Sequence, residues 1–414
     1  MRALALIDGE HYAPVVRDAL DALSYDVVAA LLVGGTEKLR GGPGGVAGAA
    51  VSRRATAASP ASLPANDYGV PLVEALDAVE ADLVVDLSDE PVLGPRERML
   101  WASRALALGL PYVGADFRFD PPPLQPVARP SLAVIGLGKR IGKTAVAGHV
   151  ARVLARDRRV VVVAMGRGGP AEPELLETPP TLDDLLALSR SGRHAASDHL
   201  EAAVLAGVPA VGCRRAGGGL AGAPFRSNVI EGAALAAQLD PALLVFDGSG
   251  AAVPPVDADA RILVTNGSHD PRAGLNAYRV LVSDLVVDTG GADREAIRSI
   301  SGVPVVEAEL RLRPAEPLGG RRTAVFTTGL APTDGLDADV VHVSRNLARR
   351  EALREELAQV DADVYLVELK AAAIDVVAEA ALARGAEVVL AANDVVSPEL
   401  DERLLALVPD RSRA

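Results

Sequence analysis

The chain has 414 residues, 49% of them hydrophobic but only 3% aromatic, and a formal net charge of −13. That length predicts two or three domains, and the acidic balance argues against a general nucleic-acid-binding surface. A single cysteine, Cys213, excludes an internal disulfide and any multi-cysteine metal site.

From the start, the apolar run before Asp8 meets Asp8 and Glu10 too soon for a signal peptide. No stretch approaches the ~18 uninterrupted apolar residues of a membrane span, so a cytoplasmic protein with no membrane partner is expected. A strand over Ala3–Ile7, a polar loop and a helix over Pro14–Leu23 open an α/β pattern. His11 lies in that loop beside Asp8 and Glu10, a placement that makes it a candidate for ligand contact. A second strand follows over Val27–Val33. Residues Gly41–Pro64, rich in Gly, Ala, Ser and Pro, read as a mobile surface loop or disordered insertion. A strand over Asp82–Leu87, a helix over Arg96–Leu108 and a strand at Tyr112–Val113 complete a first α/β domain, residues 1–120.

Five prolines, Pro121, Pro122, Pro123, Pro126 and Pro130, then stiffen a linker over residues 121–130. The expected catalytic domain, residues 131–300, begins with a strand at Ser131–Ile135, a glycine loop, and a helix from Lys143 to about Ala155. Further strands are expected over Val160–Ala164, Ala242–Phe246, Arg261–Thr265 and Leu285–Val287. Residues 301–414 alternate again. Strands are expected at Thr323–Phe326, Val340–Val343, Val364–Val367 and Glu387–Leu390, with helices at Leu347–Leu357 and Ile374–Arg384. That tail either forms a third α/β layer or completes the catalytic domain. The fold class is thus α/β, a P-loop NTPase-like parallel-sheet domain preceded by a smaller α/β domain.

The loop GLGKRIGKT, Gly136–Thr144, carries the chemistry. Glycines let backbone N–H groups approach phosphates, and the helix N-terminus adds a positive partial charge. Gly136, Gly138 and Gly142 would cradle ATP, Lys143 would reach its β and γ phosphates, and the Thr144 hydroxyl would ligate Mg²⁺. Gly136 stands six residues before Gly142, one more than the common motif, a register similar to that of dethiobiotin synthetase. Asp247, following an apolar strand, is the second candidate Mg²⁺ ligand; an Asp-Gly turn is its plainer reading.

Cations crowd the same region. Lys139 and Arg140 lie in the loop and Arg167 ends the next strand, while Arg214 and Arg215 adjoin a glycine run and Arg226 follows. Arginine forks match phosphate oxygens bidentately, so the group predicts a small anionic phosphorylated substrate. His194 and His199 lack zinc-helix spacing and read mainly as structural, and Cys213 reads as a small buried residue.

In order along the chain, the stretches LIDGEHYAPVV, IGLGKRIGKTAVAGH, AMGRGGPAEPE, GRHAASDHLE, VGCRRAGGGLAG and FDGSGAAVPPV resemble the cyclic 2,3-diphosphoglycerate synthetase family. The resemblance implies ATP-driven closure of a phosphoanhydride between the two phosphates of 2,3-bisphosphoglycerate, giving the cyclic compound, ADP and phosphate. It implies a kinase step on 2-phosphoglycerate in some members, and a homodimer. On that basis Lys143, Thr144 and Asp247 would serve ATP–Mg²⁺, while Lys139, Arg140, Arg167, Arg214 and Arg215 neutralise migrating and substrate phosphates. His11 would add a contact from the first domain. Rival readings share the loop: a dethiobiotin-type carboxylate–amine ligase, a small-molecule kinase, or a non-synthetic ATPase switch. Switches of that kind typically carry an aspartate where this chain has Gly166-Arg167.

Overall fold

The computed structural model describes residues 1–35, 67–90, 92–328 and 332–408. The loop expected over Gly41–Pro64 lies outside these residues. The chain forms two compact units. The first joins Met1–Pro123 to two later segments, Asp270–Val282 and Asp293–Val303, and the second contains Leu124–His269, Ser283–Ala292 and Pro304–Ala414.

In the first unit the strand Arg2–Ile7 is central, paired in parallel with Asp26–Leu32 on one side and Leu83–Asp86 on the other. Five of its six residues are buried, because a parallel strand covered on both faces offers no solvent side. Helix Ala13–Ala22 packs on it through Val16 and Leu20. At the strand's end the buried Asp8 carboxylate accepts from the backbone of Glu10, His11 and Asp89 and lies 2.8 Å from His11 Nδ1. The helix Asn276–Leu281 packs against Pro95–Ala107, which explains why a segment late in the chain joins this unit.

The second unit contains two sheets among its described residues. In the larger one, Ser131–Gly136 is central, parallel to Leu243–Asp247 on one side and Ala260–Thr265 on the other. Beyond these lie Val160–Gly166 and Ala210–Ala216 on one flank, and Leu285–Asp288 and Val305–Glu307 on the other. Continuous β-branched runs such as Val160–Val163 fit this doubly covered sheet. Parallel strands end on one edge, so Gly136, Asp247 and Thr265 emerge together, the place where open α/β sheets bind ligands.

The C-terminal strands form a separate sheet in the order Glu309–Pro314, Glu387–Val396, Val364–Glu368, Arg322–Phe326, Asp339–Ser344. It shares a core with the larger sheet: Val395, Leu400 and Leu404 join Val146 and Val150 of helix Lys143–Leu154. Polar contacts reinforce it, a hydrogen bond between His149 Nε2 and Asp401 at 2.6 Å and an ion pair from Arg152 to Asp394 at 3.0 Å. The expected helix over Ile374–Arg384 is instead a π-helical turn, Ala373–Ala378, running into a short α-helix, Glu379–Leu382.

Candidate active site

The glycine loop has the backbone its sequence calls for. Gly142 adopts φ +75° immediately before helix Lys143–Leu154, and Arg140, although not glycine, adopts φ +59°. A Cβ at Gly138 would stand 2.2 Å from His269 Nε2, and one at Gly136 would stand 3.1 Å from the Gly250 carbonyl. The loop is tethered from neighbouring strand ends, since Thr289 Oγ1 donates to the Ile141 carbonyl at 2.9 Å. A left-handed non-glycine residue in such a loop is strain held by its surroundings, a frequent property of ligand clamps.

Lys143 is buried and forms an ion pair with Asp247, which is also buried. Sheet register explains the meeting: Asp247 pairs with Val134, two residues before the loop begins at Gly136. Burial pushes the Asp247 carboxyl above its ordinary range, and the Lys143 ammonium opposes that shift. A cation beside it favours the ionised form, the form able to bind a hard metal. Thr144 lies on the same cavity, of about 410 Å³, with Lys139, Arg140 and Arg167. Among the described residues no cluster of three or more His, Cys, Asp or Glu could hold a metal ion unaided.

Three basic side chains approach the turn after Asp247, Arg167 and Arg215 with guanidinium nitrogens and Lys139 with its aliphatic stem. The point where a Cβ on Gly250 would stand lies 3.2 Å from Arg167 Nη2, 3.6 Å from Lys139 Cγ and 4.0 Å from Arg215 Nη2. Arg215 Nη2 also donates to the Ser249 carbonyl at 2.9 Å. Its buried Nε has no hydrogen-bond partner among the described residues. Burial and, after it, the like charge of Arg167 lower the Arg215 pKa, while Asp198 opposes them.

The structure separates the other candidates. Arg214 and Arg215 lie on Ala210–Ala216, a strand that the arginine pair and glycine run did not announce. Successive strand residues face opposite ways: neither arginine lines the loop cavity itself, but Arg215 reaches Ser249 on its lining whereas Arg214 is exposed. Arg226, on the paired strand Arg226–Ser227, is likewise outside the cavity lining. His11 belongs to the first unit. His199 is buried against Gly212 and burial lowers its pKa, a packing role; Cys213, 1% exposed, has its thiol pushed up to about 12.

The cavity is also lined by residues to which the sequence assigned no role: Asp198 and Glu201, at the end of the GRHAASDHLE stretch, and Thr328, Lys370 and Asn393, which no motif marked. Lys370 Nζ lies 3.2 Å from Glu201 Oε1. Burial pushes the Glu201 carboxyl up to about 7, Asp198 and Glu368 add to the rise, and Lys370 opposes it. A helical S-D-x-x-E pattern was legible in sequence, but a polar stretch of that kind is usually only a helix start.

The raised Glu201 pKa has a consequence for stability. Its ordinary value is 4.5, so between there and about 7 the folded protein keeps a proton that the unfolded chain has released. This contribution is full below the unfolded value and is lost as pH rises through about 7. Wild type should therefore lose about 3 kcal/mol more than Glu201→Gln between pH 5 and pH 8. Urea midpoints at the two pH values measure this, and parallel slopes in the two proteins would refute it.

Family models cover most of the chain. Residues 131–303 match "Cyclic 2,3-diphosphoglycerate synthetase, P-loop domain", residues 2–120 match the N-terminal domain of the same family and residues 330–394 its C-terminal domain. A cyclic 2,3-diphosphoglycerate synthetase from Rubrobacter xylanophilus is 46% identical, covering 98% of this chain and 97% of that protein. One from Thermococcus gammatolerans is 42% identical, covering 95% and 93%. A crystal structure of LpxK from Aquifex aeolicus in complex with ATP matches with a TM-score of 0.43 at 14% identity over 69% of this chain and 90% of that one, a likeness too slight to argue from. No helix among the described residues is long and apolar enough to cross a membrane.

Proposed function

Because this chain belongs to the cyclic 2,3-diphosphoglycerate synthetase family, we propose that it uses ATP and Mg²⁺ to close a phosphoanhydride between the two phosphates of 2,3-bisphosphoglycerate, releasing ADP and phosphate. The observation that carries this reading is the convergence of Lys139, Arg167 and Arg215 on the Gly250 turn, beside the loop lysine and Asp247. One nucleotide needs fewer cations than this. A reaction that brings a nucleotide and two further phosphates into one water-poor cavity needs about this many.

The residues fit the groups they would hold. The glycines leave the loop backbone open to phosphate oxygens, Lys143 lies at the helix N-terminus, and Arg215 Nε is a buried donor without an acceptor among the described residues. Thr144 and Asp247 would hold Mg²⁺, with the remaining positions left to phosphate and water. Bound there, Mg–ATP supplies an activated phosphoryl group whose eventual loss as phosphate drives ring closure. Lys143 holds the terminal phosphates, and Lys139 and Arg167 screen the repulsion between them and the acceptor. Arg215 and the Gly250 turn orient the acceptor's phosphates for in-line attack. Arg140 helps shape the loop through its left-handed backbone and adds charge at the rim.

Phosphorus NMR of protein mixed with Mg–ATP and 2,3-bisphosphoglycerate tests the reading. A cyclic pyrophosphate signal with ADP and phosphate is expected. ATP turnover that ignores the bisphosphate would assign the chain to a switch or another ligase; 2-phosphoglycerate in the same assay tests the kinase step. The two neighbouring arginines separate cleanly. Arg215→Ala should raise KM for the bisphosphate about tenfold or more, the scale of a charged hydrogen bond, whereas Arg214→Ala should change it less than about twofold. Equal effects would mean that the Gly250 convergence does not meet substrate.

A further inference from the structure

The cavity of the glycine loop has a second wall, contributed by the C-terminal sheet. Thr328, Lys370 and Asn393 line it there, opposite no recognised motif. Glu368, at the end of strand Val364–Glu368, fixes this wall. One carboxylate oxygen accepts from Thr328 N at 2.8 Å and Thr328 Oγ1 at 3.2 Å, the other from Asn393 Nδ2 at 2.6 Å. Two residues on, the chain makes an unusual turn. Ala371 adopts φ +47°, in the region that disfavours a Cβ, and a π-helical turn over Ala373–Ala378 follows. Backbone irregularities of both kinds collect at functional sites.

That turn presents Lys370 to the cavity. Its ammonium meets Glu201 of helix Asp198–Ala206, which keeps it charged despite burial, yet 32% of its side-chain surface remains open. The side chain is thus bonded on one side and unfilled on the other. An ammonium with three donors, held on one side by Glu201, suits an oxyanion such as a phosphate monoester. The cavity accordingly carries two lysine–carboxylate pairs, Lys143–Asp247 on the loop and Lys370–Glu201 on the second wall. A structural pair bridging two sheets would need no open face, since apolar packing serves stability as well.

We propose that Lys370 binds a phosphate of the acceptor, a bisphosphorylated small acid, on the wall opposite the nucleotide loop. Glu201 is its positioning residue, holding the ammonium until the anion arrives, and Thr328 and Asn393 frame the subsite. This deepens the proposed function and rests on it for the identity of the acceptor. It also gives the C-terminal sheet a part in substrate recognition.

The test uses the full chain with Mg–ATP and 2,3-bisphosphoglycerate as probe, by calorimetry and by steady-state kinetics. Lys370→Met should raise the Kd and KM for the bisphosphate about 30-fold while leaving the Kd for Mg–ATP within about twofold, and Lys370→Arg should recover part of the loss. A merely structural lysine would move both ligands and the urea midpoint together. Because Lys370→Met leaves Glu201 buried without its cation, the double variant Lys370→Met with Glu201→Gln removes both charges and provides a second folded test. Bisphosphate affinity within about threefold of wild type in either variant overturns the proposal, as does a wild-type protein that takes up no bisphosphate. Binding through Lys370 without any cyclic product would overturn the proposed reaction and leave this subsite standing.

Discussion

Lys143→Ala should lower ATP-dependent product formation by about a thousandfold or more while the protein remains folded. Lys143 is the buried cation at the N-terminus of the loop helix, and the preorganised charge it supplies acts where water is scarce. Removing it does more than delete a contact. Asp247 loses the ammonium that opposes the upward push of burial on its carboxyl. The variant therefore removes the lysine and disturbs the candidate metal ligand in one change. ADP formation measured with and without bisphosphate gives the rate loss, and calorimetry with Mg–ATP gives the binding loss. Retention of wild-type turnover would remove the glycine loop from the chemistry altogether.

Asp247→Ala reaches the same pair from the other side with a different signature. This variant leaves the buried Lys143 without its partner carboxylate. A loss of about 3–5 kcal/mol in folding stability is expected, together with loss of Mg²⁺-stimulated activity. The double variant Lys143→Ala with Asp247→Ala separates the two effects. Stability should largely return, because neither charge is left alone, whereas activity should not. Urea denaturation of the four proteins measures the coupling. Additive stability losses would show that the two side chains do not form the pair described above, and Mg²⁺-stimulated turnover surviving in Asp247→Ala would take the metal away from this carboxylate.

Much of the fold was readable along the chain. The strands at Ser131–Gly136, Val160–Gly166, Leu243–Asp247 and Ala260–Thr265 carry apolar runs of at least three residues that end in Gly or polar residues, and the helix after Gly142 follows its motif. Less visible was Ala210–Ala216, whose second half carries two arginines and so breaks the apolar run. Helix Asp198–Ala206 was also hidden, because its start reads as a polar loop with two histidines. The joining of Asp270–Val282 to the first unit had no local mark at all. It depends on helix Asn276–Leu281 matching the face of a helix far earlier in the chain.

For the site, the sequence alone determined the phosphate loop, its lysine and threonine, and the carboxylate at a neighbouring strand end. Each of these follows from a local requirement: glycines where backbone must open, a hydroxyl after the lysine, an acid where an apolar strand stops. Tertiary structure alone decided which arginine of the pair faces the loop, because strand alternation has no meaning until the strand and its register are known. It alone also brought Glu201 and Lys370 to one cavity across 169 positions of chain, since a lysine acquires a ligand-binding character from the charges and burial around it, and those are supplied by other segments.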